Sequence, residues 1–253
     1  MSAKRFLNGI TDVSSADPLG VLPRLDPTKY VMYYEDFVGP LFNSASFNTT
    51  TATENGLRVT ASANGTVNIV TDATDAPLGA LKIVTTAADN ESGLIQTMSP
   101  GWAMKSGKKF WMESRFEITH TAGNIQQNEL FIGLATSQTG ADFFEADGTA
   151  RTFDDGIGWY SPDADTDIDL IVGENDTFDN VTVKATYATA TWYVMSVYFD
   201  GTDLYCYRDN SLVATLTPSV IPVSVVGPTF YFKSGEAKVH QLLVDYFLVA
   251  AER

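Results

Sequence analysis

Three groups of side chains in this 253-residue chain have types and spacings from which chemistry could be built. Glu113, Arg115 and Glu117 alternate within FWMESRFEI, so a strand would place all three on one face. Two carboxylates on one face are the raw material of a glycoside hydrolase, which needs one as acid and the other as base or nucleophile. Their separation argues against that chemistry: four residues of strand put them about 13 Å apart, whereas retaining pairs stand ~5–5.5 Å apart and inverting pairs ~6.5–9.5 Å. Arg115 between them favours both ionised forms and supplies no acid. The spacing reads better as an ionic ladder on a strand.

Asp163, Asp165, Asp167 and Asp169 also alternate, and Glu174 stands at the twelfth position counted from Asp163, the spacing of a calcium loop. The sixth position, however, is Ile168, where the sharp turn of such a loop requires Gly, and no helical pattern flanks the segment. Pro162 to Thr166 is therefore expected as a hairpin turn with solvated acids, its second strand beginning near Ile168. Asp163, Asp165 and Asp167 remain the candidate ligands of a surface cation, and no cofactor is expected. His120 and His240 lie 120 residues apart without a partner at metal-ligand spacing, and no serine sits in a nucleophile-elbow glycine pattern. The single cysteine, Cys206, excludes an intrachain disulfide and is expected as a small buried hydrophobe. Trp102, Trp111, Trp159, Tyr160 and Trp192 have rings that could stack on sugars. Trp159 and Trp192 are expected in core strands, whereas Trp102, between Gly101 and Ala103 just after Pro100, is the candidate for ligand contact.

The elements that must position these groups are strands. In Lys109 to Thr119, Phe110, Met112, Ser114, Phe116 and Ile118 point one way and Trp111, Glu113, Arg115 and Glu117 the other. A dozen further short runs, from 57–61 to 239–249, are rich in β-branched and aromatic residues and bounded by Gly, Asn, Asp or Pro. Asp200-Gly201 and Asp209-Asn210 are expected hairpin turns. No stretch carries a sustained helical stripe, although Gly140 to Asp147 could hold one helical turn. Many short strands without intervening helices predict an all-β sandwich of two packed antiparallel sheets over residues 30–253.

The first 29 residues differ. Pro18, Pro23 and Pro27 punctuate them, and Phe6, Leu7, Ile10, Leu19, Val21, Leu22 and Leu25 are spread along them, which suits an extended arm lying on another surface as well as it suits a disordered tail. Lys4, Arg5, Arg24 and Lys29 against Asp12, Asp17 and Asp26 give the arm a net charge of +1, leaving −16 for the body of a chain whose total is −15. That balance repels nucleic-acid phosphates and anionic membranes, and no apolar run approaches the ~18 residues of a membrane span.

The pair of hairpins TWYVMSVYFDGTDLYCYRDNSLVATL, residues 191–216, resembles a recurring feature of concanavalin A-like and laminin G-like jelly rolls. FWMESRFEI followed by ELFIGLATS is similar to the middle of that fold, and VHQLLVDYFLVA at 239–250 to its closing strand. The resemblance implies a jelly-roll body with an extended N-terminal arm. RFLNGITDVSSADPLG, continuing to LDPTKYVMYYEDF, resembles the start of structural proteins of tailed bacteriophages, notably short-tailed phages of marine bacteria. This second resemblance implies a non-enzymatic virion component, a head decoration or capsid-associated subunit. Its arm would dock on the major capsid protein or a neighbouring subunit, and it would form a homo-oligomer. The alternative expectation is a carbohydrate-binding, lectin-like module or tail-associated adhesion protein with a glycan partner, and a glycan hydrolase rests only on Glu113 and Glu117.

Overall fold

A computed structural model describes residues 30–37, 52–54, 57–61, 66–72, 76–97, 101–120, 127–136, 143–144 and 152–253. The expected arm residues Phe6, Leu7, Ile10, Leu19, Val21, Leu22 and Leu25 lie outside these, as does most of the segment from Gly140 to Asp147. The described strands are β1 (Tyr30–Glu35), β2 (Ala52–Glu54), β3 (Leu57–Ala61), β4 (Thr66–Asp72), β5 (Ala76–Val84), β6 (Ser92–Thr97), β7 (Phe110–His120) and β8 (Asn128–Ala135). They continue with β9 (Gly156–Ser161), β10 (Ile168–Glu174), β11 (Thr177–Lys184), β12 (Thr191–Phe199), β13 (Leu204–Arg208), β14 (Ser211–Leu216), β15 (Gly227–Ser234) and β16 (His240–Glu252).

The strands form two antiparallel sheets, the predicted jelly-roll sandwich. The first runs β14-β13-β12-β7-β16-β5-β4, and the second β11-β10-β9-β8-β15-β6-β3-β2. At thirteen residues, β16 is long enough to carry two strands end to end on one edge. β5 pairs with Gln241 to Val244 and β1 with Phe247 to Glu252, while β7 runs along the other edge.

The period-two pattern decides what each face buries. Phe110, Met112, Phe116 and Ile118 of β7 point between the sheets and join Leu130, Ile132, Leu134, Ile157, Trp159, Phe230, Phe232 and the inward residues of β16 in the main core. Trp111 falls in a separate cluster on the outer side, with Tyr30, Leu248 and Ala250.

The second sheet is apolar on its outer face as well. Phe131, Tyr160, Ile171 and Tyr231 project outward and are packed by Phe143, Phe144 and Phe153, the Phe143 and Phe153 rings stacking at 4.3 Å. Glycines in these strands make room for the rings. A Cβ on Gly158 would stand 2.6 Å from the Phe131 ring, and one on Gly173 2.4 Å from that of Phe178. β8, β9 and β15 are accordingly buried along their whole length. At the edge of this ring layer Lys233 and Glu129, opposite one another on β15 and β8, form an ion pair of 3.2 Å with 2% and 0% side-chain exposure.

The expected strands are found with ends moved by a few residues, and both hairpin turns are present. Asp209 and Asn210 hold φ of 49° and 65°, and Gly201 holds 108°, the left-handed values such turns demand. β1, β2 and β4 were not among the expected strands. β5 begins at Ala76 rather than near Leu81; its first half was hidden in the sequence because Pro77 and Gly79 punctuate it as a turn would.

A buried charge left without its partner costs about 3–5 kcal/mol, whereas replacing both members of a pair by apolar groups is often near neutral. Lys233→Met should therefore destabilise the fold by that amount in denaturant titrations, and Lys233→Met combined with Glu129→Leu should recover most of it. Equal losses in single and double variants would show that the pair is not coupled.

Candidate ligand-binding face

The outer face of the first sheet is built around the expected ladder. Glu113, Arg115 and Glu117 stand opposite Ser196, Val194 and Trp192 of β12 on one side, and opposite Leu248, Tyr246 and Leu243 of β16 on the other. Between Val244 and Tyr246 the register of β16 slips, so that Asp245 is an extra residue opposite β7. A bulge of this kind re-aims side chains, and here two consecutive residues reach the same face. Asp245 takes Arg115 Nη1 at 2.6 Å, while the Tyr246 hydroxyl donates to Glu113 Oε1 at 2.8 Å.

Aromatic rings flank this polar hub. The Arg115 guanidinium lies 4.3 Å from the centre of the Trp192 ring, a cation–π contact. On the other side Tyr34 of β1, 53% exposed, leans against Tyr246 at 6.2 Å. Trp192, Arg115, Asp245, Tyr246 and Tyr34 thus make a ledge across β12, β7, β16 and β1, three strand spacings or about 14 Å long. Beneath it Glu113 is buried, and burial pushes its carboxyl above the usual carboxylate range, opposed by hydrogen bonds from Tyr246 and Ser196. The Tyr246 phenol is raised too, by burial first and then by the charge of Glu113. The ledge can stack a ring at either end and hydrogen-bond hydroxyls between. Glu117 is two same-face positions from Glu113, the separation that fits neither carboxylate geometry of a glycosidase.

The five aromatic residues singled out from the sequence fall into different places. Trp102 is only 9% exposed; it pairs with Val226 through backbone hydrogen bonds and belongs to the main core, which leaves its ring little surface for a ligand. Trp159 is wholly buried, and Tyr160 lies in the outer ring layer of the second sheet. Trp111 forms a buried base under Tyr198 and Tyr207, 6.3 and 6.2 Å away. Trp192 corrects its expected core position. Tyr193 takes the inward site on β12, so Trp192 turns out to the ledge.

The turn expected at Pro162 to Thr166 is present, with the Asp165 amide donating to Pro162 O at 3.3 Å, but its acids are half-buried and engaged rather than solvated. Asp165 Oδ1 accepts from the Asp167 amide at 3.0 Å, and Asp167 Oδ1 from Thr166 and from the Thr186 amide. Asp163 instead packs against Gly235, where a Cβ would meet its carboxylate at 2.2 Å. Among the described residues no three His, Cys, Asp or Glu side chains are grouped to hold a metal. Cys206 is buried, its thiol pushed up to about 12 by that burial.

Sequence reasoning did not find Tyr34, Asp245 or Tyr246. One signal was present: in VDYF two polar residues interrupt the alternation of the last strand, as a bulge requires. The two histidines, distant in sequence, are opposite one another on β7 and β16 with rings stacked at 5.8 Å. His240 is fully buried with Nε2 3.1 Å from Glu236.

No protein-family model and no curated protein matches the chain. Solved structures do. A Shewanella oneidensis MR-1 protein of unknown function superposes with a TM-score of 0.55 at 15% identity over 88% of this chain and 87% of that one. Peanut lectin gives 0.54 at 13% identity, covering 88% and 97%. The Emp47p carbohydrate recognition domain gives 0.53 at 11%, covering 90% and 98%. The likeness is one of fold, and that fold is the concanavalin A-like, legume-lectin-like sandwich.

Burial holds the pKa of His240 below its ordinary 6.5, with His120 adding to the lowering and Glu236 opposing it. A depressed histidine contributes stability that is complete above the unfolded value and drains away as pH falls through the folded one. The melting temperature should therefore drop between pH 7 and pH 5, and His240→Gln should flatten that slope whatever it does to stability at pH 7. An unchanged slope in the variant would assign the acid response to other groups.

Proposed function

We propose that this chain is a non-catalytic carbohydrate-binding module that meets its glycan with the Trp192–Arg115–Asp245–Tyr246–Tyr34 ledge and is carried on a phage particle by its first 29 residues. The observation behind the reading is the ledge: accessible rings at both ends, and a charged, hydrogen-bonding hub fixed between them by a bulge. Sugar rings present an apolar C–H face and a rim of hydroxyls, and such a surface meets both. Peanut lectin and the Emp47p domain, which bear carbohydrate-binding names, share the fold, although the identities are too low to carry their ligands over. The ion pair and Trp192 pre-order Arg115, so little entropy is lost when a ligand arrives.

The reading predicts retention on a glycan array that falls about tenfold in Tyr34→Ala and in Trp192→Ala, the scale of one lost stacking contact. Tyr34 is exposed, so its variant should melt like the parent. Silence across the array, or binding indifferent to both substitutions, would overturn the proposal; so would turnover of a mixed β-glucan abolished by Glu117→Gln.

The sequence of the opening stretch supports a second reading, in which the same body is an architectural subunit of the virion. Apolar residues spaced between prolines, on a segment of net +1 joined to a body of −16, suit docking on a partner. Deleting residues 2–25 spares β1 and should leave a folded body that no longer joins the particle. Normal incorporation of the truncated chain would remove any anchoring role from the stretch.

A further inference from the structure

At the far end of β12 from Trp192, about 23 Å along the strand, the sandwich carries a cleft of about 290 Å³. We infer that it is a second ligand site, independent of the ledge, for one neutral polyhydroxylated molecule the size of a monosaccharide. The volume sits at the lower end of small-molecule pockets.

The walls are held rigidly. In the turn from β12 to β13 the Asp200 carboxylate accepts the amides of Thr202 and Asp203 at 2.8 and 2.9 Å. Those bonds, that to Asp203 first, hold the Asp200 carboxyl below its usual range. Gly201, at φ 108°, packs so closely on the neighbouring turn that a Cβ would stand 2.8 Å from Gly107, and Gly107 N donates to Gly201 O at 2.8 Å. The facing wall is tied down as firmly. The Thr217 hydroxyl donates to Asp203 at 2.6 Å and that of Ser219 to Asp179 at 2.8 Å.

These ties determine the chemistry on offer. Thr217 and Ser219 spend their protons on carboxylates behind them, so toward the cleft their oxygens are acceptors for a ligand's O–H groups. Ser106 and Thr202 add hydroxyls at the rim, while Pro218, Val220 and Ile221, partly exposed, give an apolar surface for a C–H face above the buried ring of Phe199. No charged side chain lines the cleft, and the carboxylates of Asp179, Asp200 and Asp203 are each hydrogen-bonded to a lining residue, Ser219, Thr202 and Thr217 respectively. An anionic ligand would face acceptor oxygens and the charge of these carboxylates, with Lys105 and Lys108 flanking Ser106 as the nearest opposing charges in sequence, whereas a neutral polyol finds acceptors already in place.

The test is amide chemical-shift titration of the full chain with glucose, galactose and glycerol, with glucuronate as the anionic probe. Saturable, millimolar-range shifts confined to Thr202, Thr217 and residues 219–221, weaker with glucuronate, are the expected result. Val220→Trp, which fills the cleft at a half-exposed position, should abolish them. Three results would overturn the inference: no saturable shift there with any neutral probe, shifts equally strong with glucuronate, or shifts that survive Val220→Trp. Shifts confined to Tyr34 and Trp192 would also remove this site while leaving the ledge proposal standing.

Discussion

The first sheet depends on β16 and its pairing with β7. β16 lines the main core with one face and the ledge with the other, and it supplies the edge on which both β1 and β5 hang. A bulge lets a thirteen-residue strand follow the twist of its neighbours while re-aiming its side chains. The adjustment here is a single extra residue at Asp245. That irregularity keeps Leu242, Val244, Phe247 and Val249 all facing inward across the break, and it also delivers Asp245 and Tyr246 together to the outside. Core packing and surface chemistry therefore share one structural cause.

Much of this was legible in the sequence, and what was not has identifiable reasons. Alternation in FWMESRFEI assigns the two faces of β7 correctly, because the inward face is apolar apart from Ser114 and the outer one carries the three charges, even though Trp111, Glu113 and Glu117 are buried there too. Alternation fails for Trp159 and Tyr160, neighbours on β9 that are both buried, since the second sheet is covered on both sides and polarity no longer distinguishes them. For Trp192 alternation is right and size misleads: the bulk of the ring suggests the interior, but its parity with Val194 and Tyr198 places it outside. Trp102 looked exposed because its Pro-Gly neighbourhood reads as a loop, yet an isolated pairing with Val226 draws it inward.

The ledge was partly visible. Glu113, Arg115 and Glu117 were placed on one face, but the side chains that hold them come from β12 and from the bulge of β16, the latter 130 and 133 residues further along the chain. No local pattern can pair Arg115 with Asp245 or bring His120 over His240. The cleft was less visible still, since it is made by three turns whose residues are individually ordinary.

The ring layer on the second sheet gives the molecule unlike sides. Phe143, Phe144 and Phe153 cap that sheet with the chain's own aromatic mass and close it to a visiting molecule. The opposite broad side leaves Tyr34, Arg115 and Asp245 in contact with water. Such a body is polarised like a tile with one glazed surface: mounted among many copies on a common support, it would work only in the orientation that turns β1, β7, β12 and β16 toward the medium.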